Sequence, residues 1–256
     1  MKNSNNSIFF LDSCLFEAYN ISSLNNNLFF SYSIESNMSL FKSFIYNSKV
    51  PIGKEILKFE GGNIDFSDSI IQNNNGLIFN FLQTYSVYLF NVSFLDNSAE
   101  IFDFTKPNDI YFYNQETEIV MILNLENCKF TSKYGGISVW IQGLINITIE
   151  NCQFFGTNNE AKFGEIGVLT YEINNFFLKN SKFSHYIGNA LKSVSITRNS
   201  ISQFNLRENK FYGNKAFYGP SILMKGFFDL ALNNNKFSNN SAILDTSDIN
   251  TPINQE

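Results

Sequence analysis

The sequence is poor in the residues on which most enzyme chemistry rests. Its 256 residues include one histidine, one tryptophan, three cysteines, four prolines and two arginines. Three cysteines, odd in number and widely spaced, do not make the disulfide framework of a small secreted domain. Gly-x-Gly-x-x-Gly, Cys-x-x-Cys and Gly-x-Ser-x-Gly are all missing. That removes the dinucleotide-binding, dithiol and nucleophile-elbow classes. Charge is scarce too, at 16% against about 25% in an average domain. With 44% apolar residues, the chain is not one that charge keeps unfolded. A net charge of −5 from 18 basic and 23 acidic residues gives no basic footprint for nucleic acid. Neither a nucleic-acid partner nor a cofactor is expected.

Long apolar runs are missing as well. Only Ile8 to Leu11 precede Asp12 at the start, short of the ~7 to 15 residues of a signal peptide core. The charge-free stretch Ser69 to Leu95 contains Asn73, Asn74, Asn75, Asn80, Gln83 and Asn91, amides that are costly in lipid. It reads as strands, so membrane attachment would have to come from segments absent from this chain. The polar tail 245–256 is expected to follow the last repeat without a cap, as in a segment of a longer chain.

What is abundant is 29 Phe and 39 Asn, and they recur in order. Anchors at Phe16, Phe44, Ile71, Phe94, Phe130, Phe154, Phe183, Phe211 and Phe237 are spaced by 28, 27, 23, 36, 24, 29, 28 and 26 residues. Apolar residues stand five and seven positions earlier, as in Leu89 and Val87 before Phe94. That alternation is a strand with one buried face. The second repeat fits only after a one-residue slip, which puts Met38 and Leu40 in those columns. Three before the anchor come Asn91, Asn127, Asn151, Asn180 and Asn234, with Asp68 and Glu208 as variants, residue types suited to a tight left-handed bend. Two before it, small residues such as Ser69, Cys128, Cys152 and Ser181 are expected to face inward as free, packed side chains. Alternation resumes at Ile137/Val139/Ile141 and Ile166/Val168. No such unit buries its apolar face alone, so the units must stack. The expected fold is all-β, a right-handed parallel β-helix of about nine coils forming one domain over 1–256.

The pattern Phe211-x-x-Asn214-x-Ala216-x-x-Gly219-x-x-Ile222, with shorter forms at Phe94 and Phe237, resembles the repeats of chlamydial polymorphic outer membrane proteins; similar stacks occur in ciliate surface proteins. The resemblance spans about Phe9 to Leu244. It departs from the full motif at Gly219-Pro220-Ser221-Ile222. It implies a pectin-lyase-like β-helix in an extracellular, adhesive or structural setting. Together with the stack of coils and the missing catalytic constellation, it makes the expected role a non-enzymatic scaffold for adhesion, display or support outside the cell or at its surface. The leucine-rich-repeat line also fits Leu144 to Phe154, which keeps a binding module of that fold open as an alternative. So does a polysaccharide lyase or hydrolase on the β-helix, which would need clustered carboxylates.

Few residues are candidates for such chemistry. Asp65 and Asp68 are the nearest to a paired acid site, but Asp68 occupies the bend column. His185 falls in a bend two past Phe183 and reads as a surface histidine. Glu150 and Lys179 share an outward column and should pair across coils, whereas Glu126 and Glu150 stack like charges. Lys129, Lys182, Lys210 and Lys236 form another outward column, which reads as a soluble face or as a track for a polyanion. The longest spacing, 36, suggests a protruding loop over 105–118. Tyr111 and Tyr113 in it are the candidate binding residues, for a protein or carbohydrate ligand. The alternative packs Tyr111, Phe112 and Tyr113 over the coil below.

Overall fold

The computed structural model describes residues 8–12, 15–17, 30–32, 37–49, 55–98, 107–114, 120–159, 164–196, 201–244 and 249–250. Within them the chain winds through three parallel sheets of nine strands each, one strand per sheet per turn. A short fourth pair joins Lys215–Ala216 to Ser241–Ala242. In sheet 1 the strand Ser86–Phe90 lies between Asn63–Ser67 and Met121–Glu126. In sheet 2 Ser93–Leu95 lies between Ile70–Gln72 and Lys129–Thr131. In sheet 3 Pro107–Tyr113 lies between Leu77–Leu82 and Ile137–Gln142. This is a parallel β-solenoid. The buried core runs from Met38 to Met224 and fills about seven turns. That is fewer filled turns than the nine coils expected; in the final turn Phe228, Leu230 and Phe237 are only partly covered.

No helix occurs among the described residues, so the leucine-rich-repeat alternative falls. The half of each repeat where that fold would place a helix or 3₁₀ segment is here a strand of sheet 3. Its Gly and β-branched residues pair with the turns above and below instead.

Register explains the slip in the second repeat. Ile45, not Phe44, stands in the anchor column, opposite Phe16 on one side and Ile71 on the other. Ile45 is buried, while Phe44 faces outward and tilts against Tyr46. With Ile45 as anchor, Met38 and Leu40 fall into the two inward columns without a slip.

From Phe94 to Phe237 the anchors form one continuous stack. Successive ring centroids lie 4.8, 4.6, 4.5, 5.2 and 5.0 Å apart, with planes within 11° of parallel. Identical side chains in an in-register parallel sheet share a rotamer, so the ~4.8 Å strand spacing becomes the ring spacing. A second group, Phe59, Phe81 and Phe112, climbs the inside of sheet 3.

The bends behave as the Asn column implies. Lys42, Asp68, Asn91, Asn127, Asn151, Asn180, Glu208 and Asn234 all have φ between 46° and 59°. Asn and Asp enter this region at low cost; at Lys42 and Glu208 the turn imposes it. At Asn180 the side chain also donates to Asn151 one coil away, at 2.7 Å.

Just inside five of these bends a backbone N–H points into the core, and a side chain of the next coil accepts it. Ser43 N–H donates to Ser69 Oγ, Cys152 N–H to Ser181 Oγ, Ser181 N–H to Asn209 Oδ1 and Asn209 N–H to Asn235 Oδ1. Cys128 N–H meets Cys152 Sγ at 3.4 Å. Both thiols are buried and unbonded to each other. Burial, with Cys128 alongside, holds the Cys152 thiol well above the usual range. Cys14 lies outside the described residues. A second ladder runs three positions past the anchor. Ser48 N–H donates to Asn74, Asn74 to Asn97, Tyr186 to Asn214 and Asn214 to Asn240.

The stack predicts its own stability cost. Phe154 is fully buried between Phe130 and Phe183, so Phe154→Ala should lose roughly 3 to 5 kcal/mol in urea unfolding. A loss under about 1 kcal/mol would show that the column is not core.

Candidate functional site

Tyr111 and Tyr113 are not on a loop. Within 105–118 the described residues are 107–114, and Pro107–Tyr113 is a strand of sheet 3. The strand is flanked by 99–106 and 115–119, which lie outside the described residues. The physical reason is alternation: Phe112 points inward and is fully buried, so both neighbours must face out. Tyr111 pairs with Asn80 and Trp140, and Tyr113 with Leu82 and Gln142. The polar tail needs a similar correction, since Ile249–Asn250 pairs with Ile222 and Leu223 as the last strand of sheet 3; the rest of the tail lies outside the described residues.

The strand's place creates an aromatic platform on the outer face of sheet 3. The Tyr111 and Tyr113 rings are nearly parallel, 6.1 Å apart, and Trp140 of the next coil meets Tyr111 edge-on at 5.6 Å. Tyr171 continues the Tyr113 column one coil beyond Gln142. Leu169 and Lys192 continue the other. All of these side chains are half-buried. Burial raises the Tyr111 phenol, with Tyr113 adding to the shift, and lowers the Lys192 ammonium, with Lys225 adding to that. Rings held by a paired sheet are preorganised: they lose little freedom when a flat ligand settles on them.

The remaining sequence candidates stay apart. Asp68 sits in the left-handed bend (φ 51°) and accepts a hydrogen bond from Asn91 Nδ2 at 2.6 Å. Asp65 faces outward between Ser39 and Tyr88, and partial burial raises its pKa. His185 occupies another left-handed bend (φ 63°), edge-on to Tyr212. Glu150 pairs with Lys179 at 2.9 Å. The opposed Glu126 is relieved instead by Tyr88, whose hydroxyl donates to it at 2.6 Å. That bond pushes the Tyr88 phenol up to about 12. Among the described residues no three His, Cys, Asp or Glu side chains stand where they could share a metal.

Sequence reasoning missed a pair of interior acids. A register shift between Pro107 and Ile110 turns Asp109 into the core, where it is 2% exposed and accepts one bond from Asn97 Nδ2 at 3.1 Å. Glu165 is 1% exposed and accepts the backbone N–H groups of Thr157 and Ile187. It does so where the repeat lacks its ladder Asn: Thr157 stands in that column after Phe154, and Tyr186 after Phe183. Gly167 makes room for the Tyr186 ring, since a Cβ there would lie 3.1 Å from Cζ. Burial, then Glu165 and Asp109, push the Tyr186 phenol up. Ser138 offsets part of this without reaching hydrogen-bond geometry, and among the described residues the hydroxyl has no partner. Both acids and the phenol are enclosed, and Glu165 substitutes for the missing ladder amides. The available signal was an acid directly before an alternating apolar run, Asp109-Ile110 and Glu165-Ile166.

Comparison with protein-family models, curated proteins and solved structures gives no match. The resemblance to polymorphic outer membrane protein repeats and to pectin-lyase-like proteins has no support from these comparisons. The structure defines the class: an all-β parallel β-solenoid.

Asp109 supplies a pH prediction. Burial raises its pKa well above 3.8, so the fold favours the neutral acid. Its contribution is full below the unfolded pKa and is lost as pH rises through the folded one. Asp109→Asn keeps the acceptor for Asn97 and should therefore raise stability at pH 7, with the gain shrinking toward pH ~4. Urea midpoints measured across that range check it; a destabilised variant at pH 7 would contradict the assignment.

Proposed function

We propose that this protein is a non-enzymatic scaffold, acting outside the cell or at its surface, that displays the sheet 3 platform for adhesion. The observation that carries the reading is the group Tyr111, Tyr113, Trp140 and Tyr171, held in register on the outside of a rigid solenoid. Flat aromatic faces beside amides such as Gln142 suit the ring faces and hydroxyls of a carbohydrate, or an amphipathic protein surface. The extracellular setting draws its support from the repeat resemblance. The non-enzymatic reading draws its support from where the acids lie: Asp109 and Glu165 are enclosed, Asp68 serves a bend, and Glu150 is paired.

Trp140 is the single tryptophan and reports on the platform directly. Its fluorescence should shift on titration with a glycan that binds, and Tyr111→Ala with Tyr113→Ala should weaken that binding at least tenfold, about 1.4 kcal/mol. No product should be released from any polysaccharide offered. Turnover that Asp65→Asn or Asp68→Asn abolishes would establish a lyase or hydrolase instead.

A further inference from the structure

A second outward face, on sheet 2, carries a row of cations. Lys129, Gln153, Lys182, Lys210 and Lys236 lie in one column, each opposite the next. Each is followed in the chain by a ring of the interior stack. The ring steps of 4.6, 4.5, 5.2 and 5.0 Å therefore set the spacing of the column. Lys129 and Lys182 both lie over the Phe155 ring, 5.9 and 5.3 Å from its centroid. None of the four lysines has an acidic partner among the described residues. The column three residues earlier, at the ends of the sheet 1 strands, carries Glu126, which Tyr88 already engages, Glu150 and Lys179, which pair with each other, and exposed Arg207, with Glu208 in the bend before Lys210. Earlier coils place Phe44, Ile70 and Ser93 in this column, so the row is confined to the later coils.

Protection of an open sheet edge is the usual use of lysine on strands. It does not account for this row, because Lys129, Lys182 and Lys210 stand on strands paired on both sides. Lysine is depleted in strands, and like charges directly opposite each other destabilise a sheet. A partner with negative charges repeating along the solenoid axis would turn that cost into affinity. The next outward column offers Thr131, Phe155, Tyr212 and Ser238 beside the row. Hydroxyls and rings there match sugar hydroxyls and ring faces. A track one cation wide, lined by lysine rather than arginine forks, is narrow for nucleic acid. We infer that the Lys129–Lys236 column binds a linear acidic polysaccharide laid along the solenoid axis. This site is separate from the sheet 3 platform and stands or falls without it.

The test is fluorescence anisotropy of labelled heparin fragments and labelled polygalacturonate with the 256-residue protein, at several salt concentrations. Binding is expected to at least one acidic chain and not to dextran, and to weaken as salt rises. The Lys182→Gln/Lys210→Gln variant should lose at least tenfold in affinity, the corresponding Arg variant should retain it, and Lys58→Gln on sheet 3 should change nothing. The Gln variant should unfold in urea at the wild-type midpoint or above, because an opposed like-charge pair is gone. The inference is overturned by absent binding, by affinity unchanged in the Gln variant, by a lowered midpoint, or by tighter binding of a single-stranded oligonucleotide or anionic vesicles.

Discussion

The solenoid depends on one recurrent interaction: a backbone N–H turned into the core beside a bend, accepted by a side chain of the following coil. A bend with left-handed φ leaves the next peptide pointing away from the sheet ladder. Buried without a partner, each such group would cost roughly 1 to 3 kcal/mol. Ser, Cys and Asn in one column, and Asn in a second, remove that cost at the turns they face. Asn does most, since its amide also returns a bond to a carbonyl of the coil before, as Asn209 does to Leu178 and Asn74 to Ile45. The Phe stack lies between the two columns and fills the space they enclose. The columns thus fix the turn-to-turn register, and the register in turn fixes which side chains share an outer face.

Where the repeat fails, the same demand shows through. Thr157 and Tyr186 replace Asn in the second column, and Glu165 reaches across from sheet 3 to accept Thr157 and Ile187 N–H. A carboxylate is an unusual choice in an apolar core, and the oriented N–H groups account for its presence. Among the described residues Asp109 has only the Asn97 amide, and it is the weaker member of the pair by the same reasoning.

Much of this was legible in the sequence, because anchor, bend and inward columns each obey a local rule: period-2 apolarity, αL-tolerant residues and small polar side chains. The second repeat misled because Phe44 and Ile45 are both apolar and only pairing decides between them. The 105–118 segment misled for another reason. Its long spacing reads as one loop, although Ile110-x-Phe112 carries the alternation of a sheet 3 strand. That Trp140 neighbours Tyr111 is not legible in the sequence, because cross-coil adjacency follows from register across insertions of unequal length. Asp109 was hidden by a bulge, which no spacing rule gives. The outer faces were readable as columns, but what they contact is chemistry that no periodicity specifies.

Native-state hydrogen exchange tests the account most directly. The N–H groups of Ser181, Asn209 and Asn214 sit just past bends, outside any strand, where exchange would ordinarily be fast. If side-chain acceptance from the next coil holds the solenoid together, they should be protected as strongly as the flanking strand amides of Leu178 and Leu206. Exchange at loop-like rates for these groups, with the strands still protected, would contradict it.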